Sequence, residues 1–189
     1  MELRIVSGHA KGIRLEIPET VRPTRARLRQ SLFDILESLE SERGTFFFGR
    51  VVLDCFAGSG ALGLEALSRG AAHAYFVESS REVAYTLREN IRKLGVEGST
   101  TVICTEARFL KKRRNGDAVC DVVFLDPPYG QGSIPRTMEH LFFRGWISPD
   151  TLLVTEENAG RSSEFPQYQE IISRNYGNSL LRIGRLAAA

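Results

Sequence analysis

The stretch Val51-Val52-Leu53-Asp54-Cys55-Phe56-Ala57-Gly58-Ser59-Gly60-Ala61-Leu62-Gly63 constrains the fold of this chain more than any other. It reads as a buried strand, a glycine-rich turn and the first turn of a helix. Downstream the pattern alternates, with strands expected at 73–77, 101–104, 121–125 and 151–155 and helices at 60–68, 80–94, near 106–112 and at 134–143. Such alternation argues for an α/β fold, a parallel sheet with helices on both faces. After it, Glu170–Tyr176 and Ser179–Ile183 flank Gly177-Asn178, a hairpin turn pair. At 189 residues and 42% hydrophobic content, the chain is long enough for one well-cored domain and too short for two ordinary ones.

Gly58, Gly60 and Gly63 spell G-x-G-x-x-G, a pattern shared by nicotinamide, flavin and S-adenosylmethionine sites. Two details favour S-adenosylmethionine. Asp54 stands at the strand end, where a carboxylate can meet a ligand ammonium but would repel a pyrophosphate. In dinucleotide folds the first glycine follows the strand at once, whereas Asp54-Cys55-Phe56-Ala57 intervene here. The next strand, His73–Val77, ends in Glu78, at the spacing expected of a carboxylate that binds ribose hydroxyls rather than of a bland surface glutamate.

Asp126-Pro127-Pro128-Tyr129 follows the apolar run Val122–Leu125 and sets a carboxylate, a rigid carbonyl and an aromatic face at a strand end. Read locally, two prolines and Tyr-Gly make a turn. Read chemically, the set suits a flat base bearing an exocyclic amine. The lone pair of such an amine is delocalised into the ring, so an enzyme must accept its N–H hydrogens; the Asp126 carboxylate and the Pro127 carbonyl can do so. Tyr129 can cover the ring face, and base stacking on an aromatic contributes about 1–3 kcal/mol with little regard to the base.

Together these residues resemble a known family. Asp54-x-Phe-Ala-Gly-Ser-Gly, Glu78 and Asp126-Pro-Pro-Tyr look like the motifs of amino-directed methyltransferases. Arg4-Ile5-Val6-Ser7-Gly8, Lys11-Gly12 and Arg22-Pro23-Thr24, followed by Arg25-x-Arg27-x-Arg29 and Leu32-Phe33, narrow the resemblance to the RsmD type, which methylates a guanine N2 in small-subunit (16S) ribosomal RNA. The resemblance implies a Rossmann-like class I methyltransferase fold with strand order 3-2-1-4-5-7-6, a mostly parallel seven-stranded sheet with a C-terminal antiparallel hairpin. It implies S-adenosylmethionine as cofactor, bordered by Asp54, Phe56, Ala57, Gly58, Ser59, Gly60, Glu78, Glu106 and Ala107, and a catalytic set of Asp126, Pro127, Pro128 and Tyr129. No metal is required. Ala26 and Gln30 stand where the family commonly has Asp and Glu, and Glu106 where an Asp or Asn usually meets the adenine amine.

The net charge of +2 says little about nucleic acid, because distribution matters more. Residues 1–30 hold seven basic side chains (Arg4, Lys11, Arg14, Arg22, Arg25, Arg27, Arg29) against Glu2, Glu16 and Glu19. Leu3–Ser7 and Ile13–Ile17 read as a small hairpin, and 25–39 as a helix on which Arg25 and Arg29 share a face away from most of the apolar stripe. Residues 1–45 are therefore expected to form an RNA-binding extension, with Arg4, Lys11, Arg22, Thr24, Arg25 and Arg29 toward the substrate, and 46–186 the methyltransferase domain. Arg108 and Lys111–Arg114 form a second cationic cluster, a phosphate surface or a solvated face.

Phe46-Phe47-Phe48 is expected where the extension joins the sheet, and Cys55, Cys104 and Cys120 as small buried hydrophobes. Neither the cysteines nor His9, His73 and His140 have metal-ligand spacing, and no apolar run suffices to span a membrane. A cytoplasmic enzyme follows, with ribosomal RNA in an assembling small subunit as the partner the resemblance implies. The rival readings are a DNA amino-methyltransferase, a nicotinamide oxidoreductase and a non-catalytic RNA-binding module. They are disfavoured in turn by size, since only about fifty N-terminal residues are available for DNA recognition, by Asp54, and by the Asp126 motif.

Overall fold

The computed structural model describes residues 2–18, 26–39, 46–127, 134–161 and 167–187. A short antiparallel ribbon, β1 (Leu3–Arg4) and β2 (Arg14–Leu15), precedes helix α1 (Ala26–Ser38). The chain then alternates: β3 (Val51–Asp54), α2 (Ala61–Ser68), β4 (His73–Glu78), α3 (Arg81–Leu94), β5 (Thr100–Cys104), β6 (Val122–Leu125), α4 (Ile134–Phe143) and β7 (Leu152–Asn158). A hairpin of β8 (Tyr168–Tyr176) and β9 (Ser179–Leu186) ends it, turning through Gly177 at φ 62°.

The sheet runs β5-β4-β3-β6-β7-β9-β8, which is the expected 3-2-1-4-5-7-6 when strands are counted from β3. Pairing is parallel from β5 to β7 and antiparallel at β9 and β8. The order reverses at β3, so the ligand crevice of such a sheet lies at the C-terminal ends of β3 and its neighbours.

Helix α2 is buried along its whole length because the sheet lies on one side and the N-terminal extension on the other. Helix α3 has a solvated face and is delimited by local chemistry: Ser80 Oγ accepts from Val83 N–H at its start, and Gly95 at φ 68° closes its end. One core joins α1, α2, α3 and the ribbon to one face of the sheet; Phe33 and Phe47 meet there with ring centroids 5.2 Å apart. The other core packs Met138, Leu141 and Trp146 under the opposite face.

Four expectations are corrected. The N-terminal hairpin holds only two residue pairs, Leu3 with Leu15 and Arg4 with Arg14. The helix expected near 106–112 is a single 3-10 turn, Ala107–Phe109. Its would-be continuation has backbone carbonyls committed elsewhere: His140 Nε2 lies 2.8 Å from Leu110 O, and Trp146 Nε1 donates to Lys111 O at 2.8 Å. Cys104 is exposed at the end of edge strand β5, whereas Cys55 and Cys120 are buried as expected. Phe46 and Phe47 are buried at the junction while Phe48 points outward. Among the described residues no helix is long and apolar enough to cross a membrane, and no cluster of His, Cys, Asp or Glu could hold a metal ion.

Candidate functional site

The loop after β3 is held between its two neighbouring strands. Cys55 N–H donates to Phe124 O and Ala57 N–H to Val77 O, each at 3.0 Å. Gly58 (φ 52°) and Gly60 (φ 82°) then turn the backbone through the left-handed region into α2. A Cβ on Gly60 would lie 2.4 Å from Leu87 Cδ1, and one on Gly63 would lie 2.3 Å from Phe76 Cε1. Gly60 and Gly63 thus let α2 pack closely on α3 and β4, a reason separate from ligand approach.

Three carboxylates converge around this loop. Asp54 is buried and accepts from Gly63 N–H at 3.0 Å, in the first turn of α2. Burial pushes its pKa up to about 8; the Gly63 N–H opposes that rise, and the nearby negative charges of Asp126 and Glu78 add to it. Glu78 accepts from Gly58 N–H at 3.0 Å and from Ser80 N–H at 2.8 Å, which ties the end of β4 to the glycine loop. Near neutral pH Asp54 is therefore held protonated unless a cationic ligand supplies the charge that its carboxylate form lacks. Glu106 lies exposed and pairs with Arg108 Nε at 2.7 Å, beside the buried Ala107. Phe56 is half-buried, whereas Ala57 and Ser59 are buried.

Asp126 and Pro127 follow β6 directly, one strand over from Asp54. Pro128 and Tyr129 lie outside the described residues. A narrow crevice beside Asp126 is bordered by Leu28 and Leu32 of α1 and by Glu156 of β7.

The proposed substrate residues separate. Lys11 is exposed. Arg4 is exposed too, but its guanidinium closes the ribbon by donating to Glu2 Oε2 at 2.7 Å and to Gly12 O at 2.8 Å. Arg22, Thr24 and Arg25 lie outside the described residues. Arg29 does not share an exposed face as expected: it is 1% exposed and its Nη2 donates to Arg4 O at 2.6 Å. The ribbon covers the flank of α1 that an isolated amphipathic helix would leave in water, and burial lowers the Arg29 pKa while the Glu65 charge opposes that fall. In the second cluster Arg113 turns inward, donating to Gly145 O at 2.7 Å and to Asp117 O, while Lys111 and Lys112 stay exposed.

Two buried polar residues escaped the sequence reading. Glu65, fully buried on α2, accepts from Val6 N–H at 2.7 Å and Ser7 N–H at 3.0 Å and pairs with Arg69 Nε at 2.9 Å. Asn90, fully buried on α3, accepts from Glu16 N–H at 2.8 Å and donates to Glu16 O and Ser59 O at 2.9 Å. Asn90 thus joins the extension to the glycine loop. The one local hint was polarity on an otherwise apolar helix face.

The family model described as conserved hypothetical protein 95 matches residues 3–185. The chain is 31% identical over 182 residues to ribosomal RNA small subunit methyltransferase D of Buchnera aphidicola, covering 95% of this chain and 90% of that one. The protein of the same name from Escherichia coli K12 is 35% identical over 157 residues, 82% of this chain and 74% of that one. Among solved structures, a proposed methyltransferase from Escherichia coli superposes with a TM-score of 0.83 at 31% identity, over the whole of both chains.

Proposed function

The chain belongs to the conserved hypothetical protein 95 family, that of the RsmD-type enzymes its motifs resemble, and on that premise we propose its reaction. It is an S-adenosylmethionine-dependent ribosomal RNA methyltransferase, and its target is the exocyclic N2 of a guanine in the small-subunit RNA. The observation that carries this reading is the position of Asp126: a hydrogen-bond acceptor at the end of β6, next to the acidic crevice at the end of β3.

The residues fit the cofactor. Asp54, whose buried carboxylate form lacks a compensating positive charge, would hold a ligand ammonium. Glu78 is fixed by two backbone N–H groups at the strand end and would accept from ribose hydroxyls. Ala107 and Glu106 would border the adenine. When bound, the cofactor supplies an electrophilic methyl group on a sulfonium. Asp126 and the Pro127 carbonyl hydrogen-bond the two amine N–H groups, orient the nitrogen lone pair toward the electrophile, and stabilise the positive charge that develops on nitrogen as the new bond forms; the surplus proton on the methylated nitrogen then passes to the Asp126 carboxylate or to water. Tyr129 stacks on the guanine. Direct displacement of this kind needs neither a covalent enzyme intermediate nor a metal.

The base must be unpaired or extruded to enter, which costs a few kcal/mol unless the RNA presents it unstacked. A loop exposed on an assembling small subunit in the cytoplasm meets that condition. The test is to incubate the enzyme and tritiated S-adenosylmethionine with undermethylated small subunits, naked RNA and duplex DNA, and to map the label. Label on one guanine N2 of the small-subunit RNA is expected. Label on DNA, or on another atom of the RNA, overturns the assignment.

A further inference from the structure

We infer that Glu156, in the C-terminal half of β7, selects guanine by accepting its N1–H beside the amine held by Asp126. The inference rests on the guanine N2 reading and adds to it the residue that excludes the other amino bases.

Strands β6 and β7 are parallel, with Leu125 opposite Thr155. The next residues, Asp126 and Glu156, therefore lie side by side toward the ligand-binding end of the sheet, where β6 stops while β7 runs on to Asn158 with Glu156 opposite Leu181 of β9. Both border the same narrow crevice, whose other walls include Leu28 and Leu32 of α1 and Val154 of β7. Across the sheet the order is β3, β6, β7, so Glu156 lies on the side of Asp126 away from the glycine loop. A base whose amine meets Asp126 with its lone pair toward that loop presents the rest of its edge to β7. Glu156 is held there by Ser179, whose Oγ donates to Glu156 Oε1 at 2.7 Å from neighbouring strand β9.

The chemistry of the bases gives this carboxylate its selectivity. In guanine the exocyclic amine is flanked by N1, which carries a hydrogen, and by N3, which does not; with the N1 side toward β7, the amine and N1 present adjacent donors to adjacent acceptors. In adenine and cytosine the ring nitrogen beside the amine carries a lone pair, which a carboxylate repels. Apolar walls strengthen both effects, because a hydrogen bond gains and an unmatched polar group loses more where water is excluded.

The test uses small subunits reconstituted with unmethylated RNA in which the mapped guanine is kept or replaced by 2-aminopurine. That analogue retains the amine and has a lone pair at N1. Wild-type enzyme is expected to prefer guanine by roughly 10–100-fold or more in kcat/KM, the discrimination of a well-formed paired contact. Glu156→Gln is expected to shrink that preference at least tenfold, because the amide N–H can donate to the bare ring nitrogen. Loss of the O6 oxygen affects both enzymes alike, so the change in preference isolates the N1 contact.

Equal use of the two bases by wild-type enzyme overturns the inference without any variant. So does an unchanged preference in Glu156→Gln, whatever its absolute rate, and in that case Glu156 serves only to anchor Ser179. Thermal unfolding and S-adenosylmethionine affinity of the variant should stay near wild type. If the label maps to an atom other than guanine N2, the parent reading fails and this inference with it; failure of the base preference alone leaves the parent reading standing.

Discussion

Two buried carboxylates that border α2, Glu65 within the helix and Asp54 at the end of β3, have opposite surroundings. Glu65 faces the N-terminal extension and is balanced: the Arg69 guanidinium, itself paired with Glu37 at 3.5 Å, and two backbone N–H groups surround it. Asp54 faces the ligand crevice with the Gly63 N–H as its backbone donor and with Asp126 and Glu78 as like-charged neighbours. A carboxylate that the fold satisfies is a fastening. One that the fold leaves short of positive charge is poised for a ligand that brings it.

The largest effect expected from breaking this contrast is on stability. Glu65→Ala leaves a buried guanidinium and two backbone N–H groups without their acceptor, and such losses cost about 3–5 kcal/mol. Urea unfolding should show it. Asp54→Asn, by contrast, relieves an under-compensated buried carboxylate and should leave unfolding near wild type while weakening S-adenosylmethionine binding. If the two variants destabilise equally, both carboxylates are structural.

Asp126 lies next in size. Asp126→Ala should slow methyl transfer by roughly 10²–10³, the loss typical of removing one preorganised polar contact to the reacting centre. Cofactor affinity should stay within a few-fold of wild type by calorimetry. A matching loss of S-adenosylmethionine binding would move Asp126 to the cofactor side of the crevice.

A smaller effect follows from the pKa of about 8 at Asp54. Below that pH the free protein holds Asp54 protonated, whereas a bound ammonium favours the carboxylate, so binding must expel a proton. Affinity for S-adenosylmethionine should therefore rise with pH below about 8, by up to tenfold per unit, and level off above it. Calorimetry in buffers of different ionisation enthalpy would register the released proton. Asp54→Asn should remove this part of the pH dependence, and an unchanged profile in that variant would assign the titration to another group.

What the sequence disclosed and what it hid divide along the same line. The β3 strand, the glycine turn, Glu78 and Asp126 were legible because each is a short-range pattern tied to a strand end. Strand order came with the family resemblance. Glu65 and Asn90 were not legible because their partners lie far along the chain, 59 residues from Glu65 to Val6 and 74 from Asn90 to Glu16, and the one local hint, polarity on an otherwise apolar helix face, does not say what the side chains bind. The 106–112 segment was misread for a related reason: its apolar Phe109 and Leu110 fit a helix, but the α4 region takes its carbonyls. Arg29 failed because helical periodicity finds one buried stripe and cannot reveal a second layer covering the flank of α1.

Arg29 also supplies the last and smallest prediction, one that separates the fastening of the extension from its contact with RNA. Arg22 and Arg25 are proposed to meet phosphates, whereas Arg29 is buried against the Arg4 carbonyl. Replacing Arg22 and Arg25 with Ala should flatten the salt dependence of RNA binding by about 0.7–0.9 in log–log slope per lost contact and leave the melting temperature unchanged. Arg29→Ala should lower the melting temperature and leave that slope unchanged, since a charge without access to phosphate releases no counterions. A flattened slope in Arg29→Ala at full stability would mean that the extension opens on RNA and presents this arginine. An unchanged slope in the double variant would shift the phosphate surface to the exposed Lys111 and Lys112.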